Sequence, residues 1–357
     1  MQDNPEPSPG PYGPPGPHGP QGPYGPQGPQ GPPGPYGPQP GPPAYYPYPP
    51  PPAPSWYVPV PQDARYDQLA RTPVNQVWRQ IVGTLVIAAG FFVVGAVVVV
   101  AGTFVGMLLR VPPPTRPEQI SGDPVFGMSL LLLSIVAVLP VVFGTVAAVQ
   151  RRRPGTLSSV AGRLRWSWLL MCAGLGLLSL VLAQIAQVVL LVVTGEQTDD
   201  FLGWIGWERF LPALVVILLL VPFQAAAEEY MFRGWLLQAF GAHLRNPWWG
   251  ILLGSVLFAS LHGYSWAGLL DVFVFGVAMG FLAVRTGGLE APIALHVMNN
   301  MVAFGISAAA GRLDEALDQA SVPIPWQSLV GTAVQLGLFV LLVLYLARKR
   351  SISTTSG

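Results

Sequence analysis

The costliest residues in this chain are Glu228, Glu229 and Arg233, which follow the apolar run 211–227. An ionised side chain at the centre of a bilayer costs about 3 kcal/mol on insertion scales, so three within six residues need a compensating role. On a helix Glu229 and Arg233 are spaced i, i+4 and can pair across one face. Glu228 points about 100° away, on the same stripe as Gln224. Two further clusters stand on later apolar segments: Phe258 with His262, and His296 with Asn300, each pair again at i, i+4. Only four histidines occur, and His18 and His243 lie in a tail and a loop. Taken singly, each cluster has a plain structural explanation: a solvated helix end, a packed histidine, a hydrogen bond between helices. Taken together, they suit hydrolysis. A carboxylate among apolar groups becomes a general base near neutral pH. One imidazole shares the water or protonates the leaving amine, and a second with an amide can donate to a developing oxyanion. The chain shows no serine nucleophile elbow and no HExxH zinc helix.

Long apolar segments must position these residues. Eight are expected, at about 81–109, 125–149, 167–194, 210–238, 248–262, 267–284, 291–309 and 328–347. Apolar runs of about 18 residues or more read as membrane-spanning helices. The fold class is therefore all-α polytopic membrane protein with about eight transmembrane helices. The fifth segment is short for a span, and Pro222 in the fourth removes a backbone donor just before the Glu pair. If the N-terminus is cytoplasmic, thirteen of the 18 basic residues fall at cytoplasmic ends and four in outer loops. The positive-inside bias then places both termini in the cytoplasm of a bacterial inner membrane. Trp248 and Trp249 read as interfacial anchors. His262 lies deeper along its segment than His296 does, so the fifth helix must tilt or start outside the bilayer for the two to meet.

The remaining composition sets limits. Residues 1–64 hold most of the 40 prolines and no Lys or Arg, with glycine every third residue from Gly10. Such a segment buries too little apolar surface to fold, so a disordered cytoplasmic tail is expected. Its chemistry suits proline-recognising modules as partners. Residues 65–79 read as a polar juxtamembrane linker. Acidic and proline residues follow Met1, so no cleavable leader is expected. The single cysteine, Cys172, precludes an internal disulfide or a Cys₂-type zinc site and reads as a packing residue. The expected partners are the bilayer and a membrane-associated protein or peptide, with no nucleic acid.

Glu-Glu-x-x-x-Arg, Phe-x-x-x-His and His-x-x-x-Asn, in this order on successive apolar segments, resemble the type II CAAX prenyl endopeptidase family. It is also called the CPBP or Abi family of intramembrane proteases. The resemblance covers roughly residues 165–347. It implies a protease domain there, with two preceding membrane helices in 80–164 and a cytoplasmic tail over 348–357. It further implies that Glu228 activates a water with His262, and that His296 and Asn300 stabilise the oxyanion. Glu229 and Arg233 would hold the helix, and Phe258 would pack beside the site. The family is often labelled metalloprotease, and a zinc ion held by Glu228, His262 and His296 is the alternative to a metal-free water. Rival readings are a catalytically silent relative acting as a bacteriocin-immunity or regulatory partner, a haem protein using both histidines, and a transporter.

Overall fold

A computed structural model describes residues 55–117, 119–195, 203–317 and 326–357; most of the expected N-terminal tail, residues 1–54, lies outside them. The described chain is helical. In order come α1 (Val77–Leu108), α2 (Pro124–Val136), α3 (Leu139–Ala148), α4 (Trp166–Val193) and α5 (Trp207–Glu229). A π-helical turn (Tyr230–Leu236) joins α5 to α6 (Leu237–Gly241). Then follow α7 (Pro247–Ser260), α8 (Trp266–Thr286), α9 (Glu290–Ala309), α10 (Leu313–Leu317) and α11 (Trp326–Lys349). Among the described residues, seven helical stretches are long and apolar enough to cross a membrane, counting α2–α3 and α5–α6 as one each. Apolar side chains face outward along them, including Leu85, Phe92 and Val97 of α1 and Leu218 and Leu219 of α5. In water these would be costly; in lipid they are the ordinary solvent face. The chain is a multi-pass membrane protein.

All eight expected segments are helical, and the fifth is the odd one. α7 has 14 residues, about 21 Å at 1.5 Å per residue, short of a hydrocarbon core about 30 Å thick. Asn246 caps its start by accepting from the Trp248 amide, and Pro247 supplies the first helical position. α7 packs on α8, α4 packs on α9 and α11, and α5 packs on α2 and α9. α5 and α9 thus lie side by side at the centre, with α7 and α8 closing one flank.

Three expectations about the chain ends are corrected. Residues 55–64 were assigned to the unfolded tail, yet they pack: the Trp56 indole donates to the Ala147 carbonyl at 2.9 Å, and Ala64 is buried. The 65–79 stretch is no open linker. It forms a 3₁₀ turn at Tyr66–Gln68, with Tyr66, Asp67, Leu69 and Ala70 fully buried. The Tyr66 hydroxyl donates to the Leu157 carbonyl, and burial pushes its pKa well above the usual phenol value. The C-terminal residues also dock, because the Ser356 hydroxyl donates to the Pro61 carbonyl and accepts from the Ala64 amide at 3.0 Å. Hydrogen bonds between side chains and backbone, with two aromatic anchors, hold these strips, and neither leaves a periodic hydrophobic signal in sequence.

A buried polar layer ties that end together. Arg152 is fully buried and donates to Gln150, Thr156 and Gln238, and burial lowers its pKa to about 10. Arg165 grips Glu290 in a two-pronged ion pair at 2.8 and 2.7 Å. Glu290 opens α9 yet is fully buried. α9 therefore begins among packed side chains, with Glu290 held by Arg165.

Candidate functional site

Glu228 and Glu229 end α5, where the chain enters its π turn; such wide turns are frequent at functional sites. Glu229 turns inward and is fully buried. Its Oε1 accepts from Arg233 Nη1 at 3.1 Å and from His296 Nδ1 at 2.8 Å. Glu228 accepts from Gln224 Nε2 at 2.7 Å, and its Oε2 lies 3.4 Å from His296 Nε2. His296 thus stands between the two carboxylates. Asn300, one turn further along α9, donates to Gln224 Oε1 at 3.0 Å. The polar stripes of α5 and α9 form one connected network.

Nδ1–H of His296 donates to Glu229, which leaves Nε2 turned toward Glu228.

Arg233 is almost fully buried, and its guanidinium lies over the Phe258 ring at 4.2 Å. A Cβ at Gly276 of α8 would fall 3.1 Å from Arg233 Nη2, so the glycine leaves room for that group. The Phe258 ring also meets His262 edge-on at 4.8 Å and His296 at 6.1 Å. Phe258 is therefore the wedge that spaces the two imidazoles. His262 was expected on the helix one turn after Phe258; it lies two residues beyond the end of α7. It keeps helical contact nonetheless, since Nδ1 lies 2.8 Å from the Phe258 carbonyl. A carbonyl only accepts, so Nδ1 carries the hydrogen and Nε2 is the nitrogen left for chemistry.

Glu228, His262, His296 and Asn300 all line one cavity of about 360 Å³. Its other walls are mainly apolar, from Phe91 of α1, Leu131 of α2, Phe232 of the π turn and Phe304 of α9. Tyr264 also lines it, in the loop between α7 and α8. Burial, with the Glu228 and Asp271 charges adding to it, pushes the Tyr264 phenol up to about 12. A neutral phenol donor therefore stands in the wall at ordinary pH. Sequence reasoning missed Tyr264 and Gly276, and assigned Glu229 to Arg233 alone. Gln224 carried a signal, being the one amide on the Glu228 stripe.

The residues were tested against zinc by their donor atoms. Among the described residues, no group of three or more His, Cys, Asp or Glu side chains is placed to hold a metal ion. The Nδ1 atoms of both histidines are engaged, His296 with a carboxylate and His262 with a carbonyl, which leaves both Nε2 atoms open. It is the placement of Glu228, His262 and His296, and not their donor atoms, that does not make a three-donor metal site.

Residues 209–302 match the family model of type II CAAX prenyl endopeptidase Rce1-like proteins. Over this segment the chain is similar to the Rce1-like family. The segment contains Glu228, Glu229, Arg233, Phe258, His262, His296 and Asn300. The chain is 29% identical over 193 residues to "Uncharacterized protein YyaK" of Bacillus subtilis (strain 168), covering 52% of this chain and 62% of that protein. It is 32% identical over 103 residues to "Uncharacterized 24.3 kDa protein" of Escherichia coli, covering 28% of this chain and 48% of that one. The chain thus spans about half to three fifths of the length of these curated relatives. No solved structure matches. Rce1-like proteins are generally proteases, and the Rce1-like segment here runs from α5 through most of α9, the elements that build the cavity.

Proposed function

We propose that this chain is an intramembrane endopeptidase that hydrolyses a peptide bond at or within the bilayer. The observation that carries the reading is the convergence of Glu228, His262, His296 and Asn300 on one largely apolar cavity. Glu228, held by Gln224, takes a proton from water as its oxygen attacks the peptide carbonyl carbon. His262 Nε2 relays that proton to the leaving nitrogen as the C–N bond breaks. His296, oriented by Glu229, donates to the oxyanion through Nε2–H. The second N–H of Asn300 joins it, the first being committed to Gln224. The Arg233–Glu229–His296 chain is the orienting device, comparable in logic to a carboxylate that fixes a catalytic imidazole.

The apolar walls favour a membrane-proximal substrate peptide. The arginine distribution supports a bacterial inner-membrane location with both termini in the cytoplasm. The N-terminal residues, with their proline-rich composition, would serve as a ligand for proline-recognising modules.

The test is His262→Ala in reconstituted vesicles, with a membrane peptide cleaved in water enriched in ¹⁸O. Wild type should place one ¹⁸O in each new carboxyl terminus. His262→Ala should lower the rate by about 10²- to 10⁴-fold, the range for a general acid–base group, while the protein still inserts. Unchanged cleavage by the variant removes His262 from the mechanism.

A further inference from the structure

At the arginine-rich end, a groove of about 620 Å³ opens between the start of α7 and the last turns of α8 and α11. It shares no lining residue with the candidate catalytic cavity. Its floor is apolar, formed by Ile251, Phe281, Val284 and Leu344, and its rim carries Arg65, Arg285 and Arg348. Among the described residues, no Asp or Glu lines it. Arg65 is already committed, pairing with Asp67 at 3.0 Å. Arg285 and Arg348 are exposed, and Arg285 lies 5.5 Å from the centre of the Phe281 ring. Trp248 stacks on Phe281, at 6.0 Å and 19°.

Two guanidiniums without a carboxylate among the lining residues, above a greasy floor and beside a tryptophan, have a specific complement. Guanidinium groups recognise phosphate oxygens by paired hydrogen bonds. Tryptophan sits at head-group level, and basic pockets between membrane helices bind anionic head groups. A free phosphate would satisfy the arginines and leave the floor bare; a zwitterionic lipid would fill the floor and present a cation to the rim. We propose that this groove binds an anionic phospholipid of the adjoining leaflet, with its phosphate between Arg285 and Arg348 and an acyl chain along Val284 and Leu344.

Native mass spectrometry of the full chain in detergent tests this, titrating dioleoylphosphatidylglycerol, dioleoylphosphatidylcholine and inorganic phosphate in separate arms. The phosphatidylglycerol adduct should dominate. Arg285→Gln with Arg348→Gln should weaken it about thirty-fold, taking about 1 kcal/mol for each basic residue near an anionic head group. Arg153→Gln with Arg163→Gln, which removes the same charge from exposed positions elsewhere, should leave it unchanged. Leu344→Trp, which fills the floor and keeps both guanidiniums, should also weaken it. Equal weakening by the two double substitutions, equal retention of the zwitterionic lipid, inorganic phosphate displacing the lipid at matched concentration, or indifference to Leu344→Trp would each overturn the proposal.

Discussion

Removing Arg233 should damage this protein severely, because it breaks a buried ion pair. Arg233 and Glu229 have side-chain exposures of 4% and 0% and meet at 3.1 Å. Glu229 Oε2 and Arg233 Nη2 have no further hydrogen-bond partner. Without Arg233, Glu229 would keep only its contact with His296 Nδ1, at 2.8 Å. Breaking a buried pair by removing one partner costs about 3–5 kcal/mol. The contact of Arg233 with the Phe258 ring at 4.2 Å adds up to about 2 kcal/mol when desolvated. Against a total stability of about 5–15 kcal/mol, Arg233→Met should lower the melting temperature in detergent by on the order of 10 °C, with a matching loss of folded yield. Glu229→Gln should do comparable harm, because it strands the guanidinium. The double variant Glu229→Gln with Arg233→Met leaves neither charge buried and should recover much of the loss, as removal of whole buried pairs often does. It should still be inactive, since His296 loses the carboxylate that orients it. A double-mutant cycle by thermal unfolding and size-exclusion fluorescence reads all four states. Additive losses, or single substitutions costing less than about 1 kcal/mol, would refute the buried-pair account.

Two other outcomes follow from the same packing and donor geometry. Gly276→Ala gains helix propensity of up to about 1 kcal/mol, but its Cβ would press on Ser255 at 3.0 Å and Arg233 at 3.1 Å. Overpacking costs about 1–3 kcal/mol, so stability and activity should both fall, whereas Gly337→Ala, with no atom within 4 Å, should be neutral or stabilising; a melting-temperature comparison in which both variants rise would contradict this. Activity should survive dialysis against EDTA and 1,10-phenanthroline, because no three donors among the described residues are placed to hold a metal; loss that zinc alone restores would reverse that conclusion.

The membrane-embedded half of the fold was written plainly in the sequence. Apolar runs mark each long helix, and the shortness of α7 was visible before its depth was. The pairing of Glu229 with Arg233 follows from i, i+4 spacing alone, and the shared cavity follows the order of the polar clusters. What sequence could not supply came from contacts between distant segments. The His296–Glu229 bond spans 67 residues, and no local pattern encodes it. The reading erred at His262 because a helical spacing persists in the turn after α7 even though the helix has ended. The packing of residues 55–64, expected in the 1–64 tail, and of the 65–79 linker was hidden too, since Trp56 and Tyr66 anchor by hydrogen bonds to remote carbonyls. Burial of Glu290 beneath Arg165, 125 residues away in sequence, was equally hidden.

The account rests on Glu228 acting on a water inside the cavity. The direct measurement is peptide release from proteoliposomes carrying a membrane-peptide library, comparing wild type with Glu228→Gln at equal folded amounts. Release by wild type and none above background by Glu228→Gln is the result expected. Equal release from both, or none from wild type against any peptide, would contradict it and leave a non-hydrolytic membrane factor.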